Sequence, residues 1–543
     1  MAGGRGSYAA ALGATAFALA AGLGSLGWAQ TAGSPQALAE AAYNAMGAPA
    51  NVMSLNITGS LQAWDPGESE SVADPYKPDW GTSTFNETFD RARDRYRIEW
   101  VRPRAGNGMR NYTEILTSEY GGRPGGYVSG IDVNGAQPAR AVQGPNNTPL
   151  HTMSGIRLTA ELRELERDDV VAEMHAHPDR VSEMPAQRAE GKTYPAVQYR
   201  GDYGTFVVMF DPASHLPAVV RTRDWEVHAG DSNYDETLSD WRDIGGGVKL
   251  PFHRLITVNG VKIFDVTLNS ARANPPVAAD AFAAPAILRG KAAAPAPIGK
   301  VPFQWVLRRM GNGFYLDSDA LYTDENQTLH LMDVAPNISL VTGGSHNVLI
   351  VATNTYLVAF EAPGDDGMSQ KVLELAAEKY PGKPFRYVVL THHHIDHTGG
   401  VRAFVAQGAT LVVGKGNGAF FRKVLSAPAN LNLYPIKGKV QPRVIEVADK
   451  WSVNDGGREI DAYYLDNPHA QGYLMPYVPD AKLGFVTDLW NPGAPVNNSN
   501  PQLVALVRGV EKRGLKPERF AGGHGGVGNY SDVERVVNAG SGR

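Results

Sequence analysis

The chain contains no cysteine among its 543 residues. That excludes disulfides, thiol nucleophiles, thiolate-bound zinc, cysteine-held iron–sulfur clusters and lipid attached through sulfur. Any metal centre has to be built from His, Asp and Glu. An excess of positive charge is also missing: 51 Lys and Arg against 56 Asp and Glu leave a net charge of −5, without the basic footprint of a nucleic-acid binder. Long apolar runs are absent after residue 26. Before it, Arg5 is the only charge, Ala9–Leu26 is rich in Ala, Gly and Leu, and Gly27 and Ala29 suit a cleavage site. Residues 1–29 are therefore expected to be a secretory signal peptide. The mature protein would be periplasmic or secreted, with no stable membrane anchor after cleavage. What is present, 43% hydrophobic and 20% charged residues, is ordinary for a globular protein. The length exceeds the ~250–300 residues a single core usually reaches, so two domains are expected.

Residues 30–285 read as a β-rich accessory domain. Tyr96, Ile98 and Trp100 alternate with Arg97 and Glu99, the period of a half-buried strand. Phe206–Phe210 and Ala218–Arg221 flank a turn-like Asp-Pro-Ala-Ser, and Leu255–Val258 and Val261–Leu268 flank Asn259-Gly260, a two-residue hairpin signal. One helix is expected at Leu158–Leu165. His175 and His177 have metal-ligand spacing, but they follow an exposed-looking Leu-Glu-Arg-Asp-Asp run and lack further partners, so they read as a solvated helix end. His151, His215, His228 and His253 stand alone. The stretch Tyr234–Pro285, with Gly-Val-Lys-Leu-Pro and Asn-Pro-Pro, resembles the C-terminal strands of outer-membrane lipoprotein carriers. That resemblance implies a half-barrel whose concave apolar face holds an apolar ligand. A β-rich domain that only packs against its neighbour is the alternative.

Residues 286–300, small and Pro-bearing, read as a linker. In 301–543 the pattern changes to short apolar runs at Ile338–Val341, Asn347–Val351 and Tyr356–Phe360, a helix at Gln370–Tyr380, and a strand at Arg386–Leu390. Immediately after that strand comes Thr391-His392-His393-His394-Ile395-Asp396-His397-Thr398-Gly399-Gly400. Residues two apart in an extended segment point the same way, so His392 and His394 can converge on one metal. Asp396 and His397 then reach a neighbouring position, and the glycines let the chain bend into a helix from Val401. Imidazoles with a carboxylate suit zinc. In a chain with 14 histidines, a solvated His-rich loop is the weaker reading.

The same string is the signature of the metallo-β-lactamase-fold hydrolases, which this half resembles over roughly residues 328–535. Three further ligands of that family have counterparts in order: His469, 72 residues after His397; Asp488, 19 residues later; and His524, 36 residues after that, in Gly-Gly-His-Gly-Gly. The resemblance implies an αββα sandwich, making the whole chain α+β, with the accessory domain preceding it. It also implies that His392, His394 and His469 hold a first metal. Asp396, His397 and His524 would hold a second, and Asp488 would bridge them. Two zinc ions are expected, although these ligand types also accommodate iron or manganese. At the end of the second strand, where the family commonly has Asp, this chain has Glu361, expected to support a ligand imidazole. His393 points away and is read as supporting a ligand or structural, not as a ligand. His346, in Gly-Gly-Ser-His-Asn, can approach the site, but a hydrogen-bonded structural histidine is the preferred reading. His330 is assigned no role.

Hydrolysis by a metal-activated water is the expected chemistry, with Asp396 orienting the water and taking its proton. The fold and metal site do not define a substrate. A small-molecule ester or lactone, amphiphilic if the accessory domain holds apolar ligands, is the leading expectation. A β-lactam is the enzyme alternative. A lipid- or lipoprotein-handling protein with a non-catalytic metal domain is the alternative of another class, and a single-iron oxygenase a lesser one.

Overall fold

The computed structural model describes residues 33–78, 81–104, 108–119, 124–130, 150–153, 155–296, 329–344 and 346–540. The expected signal peptide, the end of the linker and residues 301–328 lie outside them. Among the described residues no helix is long and apolar enough to cross a membrane.

The accessory region is one antiparallel sheet of 14 strands. Its centre is the 18-residue strand Ser54–Ser71, paired with Ser83–Asp90 on one side and Val261–Ala273 on the other. Leu55, Ile57, Leu61 and Ala63 alternate into the core, as a sheet with one buried face requires. The hairpin at Asn259-Gly260 has φ of +49° and +81°, the left-handed pair that a two-residue turn needs. Helix Gly155–Asp168 packs on the sheet through Ile156, Leu158 and Ala160.

The charged run at the end of that helix is exposed only at Asp168, less than its composition suggests. Arg167 is buried and donates to the Val220 carbonyl and the Thr222 hydroxyl, and Asp168 pairs with Arg254. The helix lies across the sheet, so its polar side meets sheet residues instead of water. His175 is exposed near the end of helix Val170–Ala176, whose Val170, Val171 and Met174 are buried, and it stacks on Tyr43 2.7 Å from Glu40. The cavity between sheet and helix is mixed in character: Phe85, Tyr96 and Trp100 share it with Glu87, Glu236 and Arg254. Strand alternation carries those carboxylates inward, where the guanidinium partly balances them. The first part of the linker lies against this domain, with Ala296 bonded to Gly155 and Thr159.

The C-terminal region has two sheets. The first runs, in spatial order, His330–Ala335, Ile338–Thr342, Val348–Ala352, Leu357–Phe360, Phe385–Val389, Thr410–Gly414 and Val444–Val447; the second runs from Lys450–Asp455 to Val527–Asn529. Three apolar clusters separate four layers. One lies between helices and the first sheet, one between the sheets, and one between the second sheet and helices Pro501–Lys512 and Tyr530–Gly540. Strands buried on both faces read as unbroken apolar runs, as in Val348–Ala352 and Tyr473–Val478. The helix expected from Gln370 begins at Asp366, because the Asp365 side chain caps it by accepting from Met368 N.

Among the described residues the two regions meet around the loop after Phe385–Val389. Beyond its sheet partners, strand Ser54–Ser71 continues as a hairpin arm with Asp74–Pro78 and reaches the loop after Phe385–Val389. Gly67, at φ +71°, lies so close that a β-carbon would sit 2.8 Å from that of Ile395. Beside it Trp225 and Val227 pack on Ile395, and Asp231 accepts from the backbone of Asn430 and Leu431.

Candidate metal centre

Every polar residue expected at the site falls at one edge of the sandwich, where strands end or begin. Glu361 follows Leu357–Phe360, the His392–His397 segment follows Phe385–Val389, Asp488 follows Leu483–Val486, and His524 follows Arg519–Gly522. These strands run parallel within their sheets. Their carboxyl ends therefore open on the same side, the usual position of a site in such sheets.

Local hydrogen bonds aim each ring. Thr391 is anchored by its N–H to Glu361 Oε1 (2.7 Å) and by its carbonyl to Leu474 N–H. Its hydroxyl meets His392 Nδ1 at 2.9 Å, turning His392 Nε2 inward. His394 Nε2 is 2.8 Å from the Ser69 carbonyl of the accessory arm. A carbonyl only accepts, so Nε2 carries the hydrogen and Nδ1 keeps its lone pair. His397 Nδ1 lies 2.9 Å from Glu361 Oε2 as an ion-pair contact, and its Nε2 lies 3.0 Å from Asp488. Asn467 accepts from the N–H groups of His469 and Ala470, forming the turn that presents His469.

Glycines 399 and 400 are required for space and not for the bend expected of them. Their φ values, −60° and −96°, suit any residue. A β-carbon on Gly399 would strike the Gly364 carbonyl, and one on Gly400 the Ser369 side chain.

Among the described residues the donor atoms collect in three groups, one of which, Glu68, His394 and Asp396, includes the accessory arm; the other two hold the expected ligands. His392, His394, His469 and Asp488 offer atoms all within 4.8 Å of one another, and so do Asp396, His397, His524 and His346. Asp488 touches both: its Oδ2 is 3.2 Å from His392 Nε2, 3.0 Å from His469 Nε2 and 3.0 Å from His397 Nε2, while its Oδ1 is 2.9 Å from His524 Nε2. His392 Nε2 and His469 Nε2 also face each other at 3.2 Å. Donors bound to one zinc at about 2.0–2.1 Å lie at comparable separations, so these residues fit a metal. His393 is buried beside Phe420 and belongs to none of these groups.

Electrostatics agree with a site made for cations. Burial lowers His392 to about 3 and His394 well below its usual range, leaving neutral rings with free lone pairs. Burial would also lower His397 and raise Asp488. Instead the Asp396 and Asp488 charges hold His397 well above its usual range, and His397 and His524 hold Asp488 well below its own. The cleft is negative enough to draw a proton where a metal would sit. Both supporting carboxylates lie on left-handed backbone, Glu361 at φ +75° and Asp488 at +60°. Such conformations cost about 1–3 kcal/mol and concentrate at functional sites.

Three contributors escape sequence reasoning. The Ser69 carbonyl and Glu68, whose Oε2 is 3.7 Å from His394 Nδ1, come from the accessory arm. His228 Nε2 lies 2.7 Å from the Thr398 hydroxyl, which itself donates to the His394 carbonyl. No local motif marks these residues, because only the docking of the two regions brings them to the loop.

Residues 332–524 match the profile of the metallo-beta-lactamase superfamily. No curated sequence matches the chain. Among solved structures, a metallo-beta-lactamase from Pontibacter korlensis is 19% identical, covering 40% of this chain and 100% of its own, with a TM-score of 0.31. An inverting sec-alkylsulfatase from a Pseudomonas species is 20% identical over 38% of this chain and 40% of its own, with a TM-score of 0.29. An archaeal metallo-beta-lactamase superfamily protein from Sulfolobus tokodaii is 20% identical over 39% and 86%, with a TM-score of 0.27.

Proposed function

Residues 332–524 forming a domain of the metallo-β-lactamase superfamily, we propose that the protein is an exported, dinuclear metal-dependent hydrolase of small-molecule esters or lactones. The observation that carries this reading is Asp488, whose two oxygens face four imidazole nitrogens drawn from both donor groups. His392, His394 and His469 would hold one ion, and Asp396, His397 and His524 the other, with Asp488 shared. Zinc suits this nitrogen-rich set best, and iron or manganese would also be accepted. Bound there, such ions supply a hydroxide-like water near neutral pH and polarise the scissile bond.

The chain's own residues do the rest. Glu361 holds His397 through the ion-pair contact of Oε2 with Nδ1, and Ser69 fixes His394 by accepting its Nε2–H. Asp396, whose Oδ1 is 3.7 Å from His397 Nε2, would orient the attacking water and take its proton. The accessory arm lies against the site through the Ser69 carbonyl and Glu68. Export is supported by the pattern of residues 1–29, and the small negative net charge speaks against nucleic acid as partner. The mixed lining of the accessory cavity favours a substrate with polar groups over a plain lipid.

A panel of aryl ester, lactone, alkyl sulfate, phosphodiester and β-lactam substrates, run with and without a chelator, tests the reading. Ester or lactone turnover that vanishes on chelation and returns with zinc is expected. Turnover indifferent to the chelator would overturn metal dependence, and turnover confined to another substrate would overturn the substrate class.

A further inference from the structure

His346 lies just before strand Val348–Ala352, far in sequence from the metal loop. It is buried, and its Nε2 is 3.2 Å from Asp396 Oδ2. Its ring centroid is 4.5 Å from that of His524 and 5.0 Å from that of His397. The ligand atoms of these four residues all lie within 4.8 Å of one another.

The placement is built in. Asn347, the next residue, is stapled to both flanks of His524: its N–H donates to the Gly523 carbonyl at 2.8 Å, and its side-chain amide donates to the Gly522 and Gly525 carbonyls at 2.9 Å each. The segment carrying His346 and the loop carrying His524 are therefore held as one unit. A histidine needed only for packing would not require its neighbour to lock it against another imidazole of the site.

We propose that His346 is an additional protein ligand of the second metal, which would then be held by three imidazoles and Asp396, with Asp488 shared. This inference rests on the dinuclear reading above. Its consequence is a second site richer in nitrogen than Asp396, His397 and His524 alone provide. Such a site favours zinc or cobalt over magnesium or manganese and retains its ion more firmly.

The test compares full-length wild type with His346→Ala and His346→Gln by titrating cobalt(II) into metal-free protein against a chromogenic chelator. The visible spectrum is recorded after the first and second equivalents. Glutamine can still donate a hydrogen bond to Asp396 but is a poor metal ligand, so it separates ligation from hydrogen bonding. If His346 is a ligand, both variants keep the first equivalent at wild-type affinity. The second is weakened beyond the about 10–100-fold that loss of a merely supporting partner causes, and its spectrum changes. A His346→Gln protein with wild-type affinity and spectrum overturns the proposal, even if His346→Ala fails to fold. Wild-type protein that accepts only one equivalent overturns the dinuclear reading and this inference together. Wild type that binds two but hydrolyses nothing overturns only the function.

Discussion

Replacing Glu361 by glutamine is the sharpest probe of how the fold supports the metal centre. The carboxylate is 0% exposed; one oxygen accepts from Thr391 N–H at 2.7 Å, and the other lies 2.9 Å from His397 Nδ1. Glutamine has nearly the same shape but only one acceptor. If its carbonyl stays on Thr391, its NH₂ group meets His397 Nδ1. That nitrogen must then accept, and the ring proton moves to Nε2, the atom 3.0 Å from Asp488. If the amide turns the other way, it meets the Thr391 N–H, and a buried donor loses its partner at a cost of about 1–3 kcal/mol. In the first case the ring no longer offers its lone pair to a metal; in the second the whole loop is strained. Loss of such a partner typically lowers metal affinity about 10–100-fold, or about 1.4–2.7 kcal/mol. Competition titration with a chromogenic chelator reads this directly, and circular dichroism checks that the fold survives. Glu361→Asp keeps the charge with a shorter reach and should fall between. Wild-type metal affinity in Glu361→Gln would refute the reasoning.

Asp488→Asn keeps the shape but removes the charge that four imidazoles face; it should lose metal from both groups by elemental analysis, and retention of one full equivalent would show that Asp488 is not shared. Gly67→Val places a side chain against Ile395 at a left-handed position, pushing the arm and its Ser69 carbonyl off His394. Metal affinity should fall while both regions stay folded, and an unchanged titration would mean that the arm is incidental. In the accessory cavity, burial raises Glu87 to about 8 and Glu236 to about 7. Each binds its proton more tightly in the folded state, so this contribution is greatest below the unfolded carboxyl range and is lost as pH rises through those values. Chemical denaturation at about pH 6 and about pH 9 should show lower stability at the higher pH. Glu87→Gln should flatten that difference, and an equal slope in the variant would contradict it.

How much of this was legible beforehand depends on where each residue gets its neighbours. His392, His394, Asp396 and His397 lie within six residues of one another, so their convergence follows from local geometry. His469, Asp488 and His524 could be placed because each follows an apolar run that becomes a strand ending at the same edge. The sandwich core was readable for the same reason: strands buried on both faces are apolar throughout. The arm was not readable. Ser69 and His394 are 325 residues apart, and nothing in Asp-Pro-Gly-Glu-Ser-Glu announces a contact that arises only from docking. His346 looked structural because a single histidine has no local signal of convergence. The charged end of helix Gly155–Asp168 looked solvated because composition does not reveal that Arg254 and Thr222 wait beneath it.

On the proposed reading two metal ions sit on either side of Asp488. Anomalous X-ray diffraction from crystals of metal-loaded protein, measured at the zinc absorption edge, tests it most directly. Two peaks are expected, one within bonding distance of His392, His394 and His469, the other of Asp396, His397 and His524, with an Asp488 oxygen toward each. A single peak, or density bound outside these side chains, would contradict it.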